Sequence, residues 1–273
     1  MSHITTLGGV KLHVKDWGQG RPVVMMHGWP LSADSFDDLA LDIANAGMRA
    51  ISYDRRGFGR SDQPWTGYDY DTLADDLAAV LDQTGAKDAT ILGFSMGGGE
   101  VARYLSRHAG KNVRQAVLVS SVVPCMLRTE DNPDGVPQSV FDEMAHGITQ
   151  DRAKFWSGFF KDFFGVGLMS HPVSIETLEW ACRVSMQAGL WPTLACAKAF
   201  STTDFRRDLD AFKVPTLIIH GTDDKTVPIG ISGRKAAGGI PQAQLIEYDG
   251  APHGLFASHK SRLSSDVLGF LRG

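Results

Sequence analysis

The chain has 273 residues, enough for one large α/β domain or two modest ones with a substantial core. Its 43% hydrophobic and 21% charged residues exclude disordered, collagenous and membrane-embedded classes. A net charge of −4, from 27 basic and 31 acidic residues, gives no whole-molecule attraction to phosphate backbones or anionic bilayers, so neither nucleic acid nor membrane is an expected partner. The first residues lack a basic stretch followed by an apolar one and no run of about 18 apolar residues occurs, so a cytoplasmic protein is expected.

In chain order, GGVKLHVKDWG (8–18) alternates apolar and polar residues and reads as part of a half-exposed N-terminal hairpin. Continuous apolar runs follow at RPVVMMHG (21–28), MRAISYD (48–54), ATILGF (89–94), VRQAVLVSS (113–121), VPTLIIHG (214–221) and AQLIEYDG (243–250), the pattern of strands buried on both faces. Between them, DTLADDLAAVLDQTG (71–85) has helical spacing and a glycine suited to a C-cap, and MGGGEVARYLSRHAG (96–110) reads as a second helix. This alternation predicts a mostly parallel central sheet with helices on both faces. From 124 to 205 it stops. That interval, rich in aromatics such as Phe155, Trp156, Phe159, Phe160, Phe163, Phe164, Trp180 and Trp191, reads as a helical cap inserted between core segments 1–123 and 206–273. Its aromatics are expected mainly in the core, although apolar pockets also use them. Cys125, Cys182 and Cys196 are odd in number without a C-x-x-C pair, and read as small apolar filler.

Gly93-Phe94-Ser95-Met96-Gly97 falls where a buried strand meets a helix. A G-x-S-x-G pattern at such a boundary matches a nucleophile elbow, a turn so tight that side chains two residues from the serine would collide. Serine is a weak nucleophile until a base removes its proton and a third group orients that base. With the chain order Ser, acid, His, the histidines that follow a late strand are His253 and His259. His253 sits in the loop DGAPHG (249–254), whereas His259 belongs to the terminal helical segment, which favours His253 as base. The loop TDDKTVP (222–228) offers Asp223 and Asp224 as the acid; Asp224 is favoured because it begins D-x-x-V-P, while Asp223 can serve as a turn former.

Acyl transfer also needs donors for a developing oxyanion. The backbone N–H of Met96, next to the serine at a helix N-terminus, is one; the N–H of Trp29 in HGWP (27–30) is assigned as the other. The side chains of Trp29, Pro30 and Met96 are then expected along the substrate pocket, with plain packing as the alternative, and His27 reads as a structural histidine holding the loop. Proline fixes its own φ and pushes the preceding residue toward extended geometry, so Pro30 constrains Trp29. A Trp29 carbonyl turned inward could accept a hydrogen bond from peroxide; the competing reading is that Pro30 only stiffens a turn.

HGWP, DRRGFGRSDQPWTGYDYDT (54–72), GFSMGGGEVARY (93–104), PTLIIHGTDDKTVP (215–228) and APHGL (251–255) occur in order along almost the whole chain. In these segments it resembles the metal-free haloperoxidases and aryl esterases of the α/β-hydrolase fold. The resemblance implies a Ser95–Asp224–His253 triad, Trp29 and Met96 amides as oxyanion donors, and no cofactor. It also implies an acyl-enzyme discharged by water, as in ester hydrolysis, or by hydrogen peroxide, giving a peracid that oxidises halide in solution. The substrate would be a small ester or carboxylic acid. No H-E-x-x-H, C-x-x-C or calcium-type loop occurs, so no metal site is expected.

Three readings compete. DNPDGVPQSVFD (131–142) also resembles a stretch of lactam-hydrolysing relatives, which makes amide or lactam hydrolysis, or plain carboxylesterase activity, the enzymatic alternatives. A non-catalytic ligand-binding protein would lack the base, the acid or an elbow glycine, and none is lacking. An Asp would stand at position 95 in a dehalogenase of this fold. Homo-oligomerisation is left open.

Overall fold

Runs of β-branched and apolar residues become eight strands of a single sheet: β1 (Ser2–Thr5), β2 (Lys11–Gly18), β3 (Pro22–Met26), β4 (Arg49–Tyr53), β5 (Ala89–Phe94), β6 (Val113–Val119), β7 (Thr216–Gly221) and β8 (Ala243–Tyr248). The structure, a computed structural model, describes residues 2–273. Strand order is β1-β2-β4-β3-β5-β6-β7-β8. The β1–β2 and β2–β4 pairings are antiparallel and all later ones parallel. Helices are α1 (Asp37–Asn45), α2 (Tyr70–Thr84), α3 (Met96–Arg107), α4 (Gln138–Phe163), α5 (Ile175–Ser185), α6 (Leu190–Thr202), α7 (Gly233–Gly239), α8 (Leu255–Ser258) and α9 (Lys260–Arg272).

Burial follows strand position. β3 and β5, in the middle of the sheet, are buried throughout, and Val24, Met25, Ile91 and Leu92 are each fully buried. Each such side chain contributes about 1.5–3 kcal/mol relative to exposure. β8 departs from the doubly buried expectation: most of it is partly exposed, because it lies at the sheet edge with β7 as its sole strand neighbour. α2 starts where the Asp69 carboxylate accepts from Thr72 N and ends at Gly85, whose φ of 64° is the left-handed cap that glycine adopts without strain. α3 stops at Arg107, short of the expected 110, since Ala109 and Gly110 take φ of 50° and 63° and cannot continue a right-handed helix.

Residues 124–205 add no strand to the sheet; α4, α5 and α6 lie in this interval. Its two ends meet, as Phe205 N donates to Pro124 O at 2.8 Å and Cys125 bridges to Asp204, so the excursion leaves and rejoins the core between the neighbouring strands β6 and β7. α4 is interrupted at Asp151 (φ −156°, ψ 89°), whose carboxylate accepts from Lys154 N at 2.9 Å and caps the second half. Trp156, Phe160 and Phe163 on that half, and Phe164 directly after it, are fully buried. No helix among the described residues is long and apolar enough to cross a membrane.

Candidate active site

Ser95 is the single residue between β5 and α3. Its φ of 54° and ψ of −118° are strained for a residue with a Cβ, a cost of about 1–3 kcal/mol. Backbone bonds hold it there: Ser95 N donates to Val119 O at 2.8 Å, and Ser95 O accepts from Gly98 N at 3.0 Å. The flanking glycines are required for two different reasons. A Cβ on Gly93 would lie 2.3 Å from Gly97 O, across the turn itself, whereas a Cβ on Gly97 would lie 2.2 Å from Met26 O of β3. The expected collision between the two flanks therefore holds for Gly93, while Gly97 is needed so that α3 can seat against the sheet.

Ser95, His253 and Asp224 form one continuous hydrogen-bonded chain. His253 Nε2 lies 2.9 Å from Ser95 Oγ, and His253 Nδ1 lies 2.6 Å from Asp224 Oδ2. A carboxylate only accepts, so Nδ1 carries the proton and Nε2 presents its lone pair to the serine hydroxyl. Asp224 follows β7 and is buried; its Oδ1 accepts from Thr226 N at 3.0 Å and Val227 N at 2.7 Å, the hydrogen bonding that D-x-x-V places within one turn. Burial raises its pKa, but the charge of His253 and hydrogen bonds from His220 and His253 outweigh that and hold it down at about 2. Asp223 is exposed, its carboxylate 4.0 Å from Lys225 Nζ.

His27 is neutral. It accepts at Nε2 from Arg55 N (2.9 Å) and donates from Nδ1 to Gly28 O (2.9 Å); burial, then the Arg55 charge, lower its pKa to about 3. Arg55 is itself buried, paired with Glu100 of α3, and donates to His27 O; Tyr53 Oη donates to Glu100 Oε2 at 2.8 Å. Gly28 O also accepts from Leu31 N at 3.0 Å, so the Trp29 N–H of the same trans peptide unit points away from those donors. Neither the Trp29 nor the Met96 amide donates to a protein group among the described residues. A Cβ on Gly28 would lie 3.1 Å from Ser95 Cβ, which puts this loop directly against the serine. The Trp29–Pro30 peptide bond is cis.

A cavity of about 250 Å³ opens beside Ser95. Its walls are Trp29, Val122, Thr226, Val227 and Pro228 of the core and Val136, Val140, Phe141, Met144, Phe155, Phe159 and Phe200 of the inserted segment, with the exposed Asp162 and Lys225 as its charged members. Trp29 lies in this wall; its indole Nε1 donates to Thr193 O at 3.0 Å and its ring packs on Trp156, Phe159 and Phe200. Met96 and Pro30, expected along a pocket, are not part of this wall. Met96 starts α3 with its side chain fully buried in the sheet–helix core, and Pro30 is buried outside the lining.

Sequence reasoning passed over His220, Arg55 and Glu100. A strand-end histidine four residues before the acid is the one available signal for His220; nothing local marks Arg55 and Glu100, 45 residues apart, as a pair. Among the described residues, no group of three or more His, Cys, Asp or Glu side chains converges as metal ligands would.

Strand order, the serine at the β5–α3 turn and the acid and histidine after β7 and β8 define an α/β-hydrolase, and residues 21–260 match the alpha/beta hydrolase fold family, to which the chain belongs. Within it, the chain is 43% identical to a non-heme chloroperoxidase from Kitasatospora aureofaciens over 98% of both chains, and 42% identical to a bifunctional esterase/perhydrolase from Acinetobacter calcoaceticus over the full length of both. A bromoperoxidase structure from Bacillus anthracis superposes with a TM-score of 0.96 at 39% identity, covering 100% of each chain.

Proposed function

We propose that the protein is a serine hydrolase of small carboxylic esters whose acyl-enzyme is also discharged by hydrogen peroxide, giving peracids and haloperoxidase activity. The hydrogen-bonded chain Ser95–His253–Asp224 carries this reading. His253 Nε2 removes the Ser95 proton as Oγ attacks the acyl carbon, and Asp224 holds the imidazole in the tautomer that does so and stabilises the imidazolium. The carbonyl oxygen becomes an oxyanion received by the amides of Met96 and Trp29. Collapse expels the alcohol, which takes the proton from His253, or water if the substrate is a carboxylic acid. Water or peroxide then attacks the acyl carbon, giving its proton to His253, and the second collapse returns that proton to Ser95 Oγ as acid or peracid leaves. Peracid and halide then give carboxylate and hypohalous acid in solution.

Residues 124–205 act in this reading as a cap. They supply most of the apolar wall, so they set which acyl or alcohol groups fit. The esterase/perhydrolase and chloroperoxidase relatives support peroxide as an acceptor beside water. The test is hydrolysis of an aryl acetate, measured with peracetic acid formation from acetate and peroxide, in wild type and Ser95→Ala. Both activities should disappear together in the variant; peroxide-dependent bromination surviving in Ser95→Ala would overturn the acyl-peracid route.

A further inference from the structure

His220, the penultimate residue of β7, is fully buried, and the proton relay just described makes no use of it. Its Nε2 lies 2.8 Å from Val227 O and 3.2 Å from Asp224 Oδ2, the same carboxylate oxygen that His253 Nδ1 approaches at 2.6 Å. Val227 O can only accept, so Nε2 carries the hydrogen and donates it there, with Asp224 Oδ2 as a second, electrostatic neighbour of the same N–H at 3.2 Å. His220 Nδ1 is then a bare lone pair, buried without a partner against the Cα of Gly233, where a Cβ would come within 2.8 Å. Among the described residues no acceptor reaches Nδ1. The other charged group facing the ring is Glu247, its register partner on β8, and this is already engaged by Arg234 Nε and Nη2 of α7, at 2.8 and 2.7 Å. His220 thus carries one fixed hydrogen, bonded to Val227 O, and Asp224 is the titratable group that its Nε2 lies against.

We propose that His220 is a positioning residue that sets how strongly Asp224 can hold the protonated form of His253, and so sets the acid limb of the pH–rate profile. The inference rests on reading Ser95 and His253 as nucleophile and base. Two imidazoles share one carboxylate oxygen. Each hydrogen bond that Oδ2 accepts lowers its power to accept the other, so the His220 N–H weakens the Asp224–His253 interaction at the stage when His253 becomes charged. A base held too tightly as imidazolium would be slow to give its proton to the leaving group; the second donor tempers that hold while also pinning the 224–227 turn through Val227 O.

The test has one arm that needs no turnover and no variant. In ¹⁵N NMR of the wild type, His220 should carry its ring proton on Nε2 with Nδ1 bare; a His220 ring protonated on Nδ1 overturns the proposal. In the second arm, His220→Met removes the donor at similar length and His220→Gln supplies a replacement N–H. For the Met variant, both the acid limb of kcat/KM and the midpoint of the His253 ring titration should move up by roughly half a pH unit to one unit, with the Gln variant returning toward wild type. A folded Met variant with both midpoints unmoved overturns the proposal. If it does not fold, the wild-type arm decides. A shifted ring titration in a protein without hydrolytic activity would leave the His220–Asp224–His253 coupling standing and refute the hydrolase reading, and with it the role in the pH–rate profile.

Discussion

Replacing Gly97 with alanine tests whether the serine turn and the Trp29 loop are held as one rigid cradle. The new Cβ would stand 2.2 Å from Met26 O, 2.8 Å from Met26 C and 3.0 Å from Met26 Cβ. Real Cβ contacts essentially never fall under 3.0 Å, so the first turn of α3 and the end of β3 must separate by about 0.8 Å. Neither side is a flexible side chain. Met26 is bound into the sheet between β4 and β5 and leads directly into His27, Gly28 and Trp29, while Gly97 is two residues from Ser95. The movement therefore opens the gap between the Met96 and Trp29 amides. Overpacking of this kind costs about 1–3 kcal/mol of stability, partly offset by up to about 1 kcal/mol of helix propensity gained over glycine. The melting temperature should fall by a few degrees at most. The rate has no such offset. A displacement near 1 Å in a reacting constellation costs on the order of 10²-fold, and that loss should appear in kcat of aryl acetate hydrolysis with KM little changed. Gly158→Ala, in α4 with open space around the added carbon, is the control and should be neutral to slightly stabilising. A Gly97→Ala protein within twofold of wild-type kcat would refute the rigid-cradle reasoning.

Asp224→Asn should lower kcat by about 10³–10⁴-fold through the wrong His253 tautomer, whereas Asp223→Asn should stay near wild type in the same ester assay; equal effects would show that the acid is misassigned. His27, about 3 when folded and near 6.5 when unfolded, takes up a proton on unfolding throughout the pH range between those values. The unfolded state binds the extra proton there, so stability falls as pH drops below 6.5, by about 2 kcal/mol at pH 5 from this residue. His13 and His259 act in the same direction, so the difference between wild type and His27→Gln in denaturant midpoint against pH isolates the contribution, and parallel curves would refute it. Pro30→Leu should lower the ratio of peracid formation to ester hydrolysis severalfold; an unchanged ratio would assign Pro30 to turn stiffening alone.

The elements most legible in the sequence are those whose signal is local. Apolar runs mark β3 to β7, Gly85 marks the end of α2, and G-x-S-x-G at a strand-to-helix junction marks Ser95, because strand burial, left-handed caps and tight turns each impose residue types within a few positions. D-x-x-V-P likewise separates Asp224 from Asp223, since the favoured carboxylate takes the amides two and three residues ahead. The pocket is less legible. Trp29, Pro30 and Met96 lie beside the serine turn or its loop, yet only the Trp29 side chain reaches the cavity, and most of the wall comes from residues up to 171 positions away, such as Phe200.

By itself, then, the sequence determined the strand and helix types, the serine turn and the residue kinds available to activate that serine, since backbone preference and turn chemistry act over a few residues. Tertiary structure decided what meets what: β8 at an edge, His253 brought to Ser95 across 158 positions, His220 set against the acid, Arg55 against Glu100, and the aromatic wall folded over the cavity. Hydrophobic periodicity specifies that a side chain is buried but not against which partner, and partners here are chosen by strand order and close packing over the whole chain.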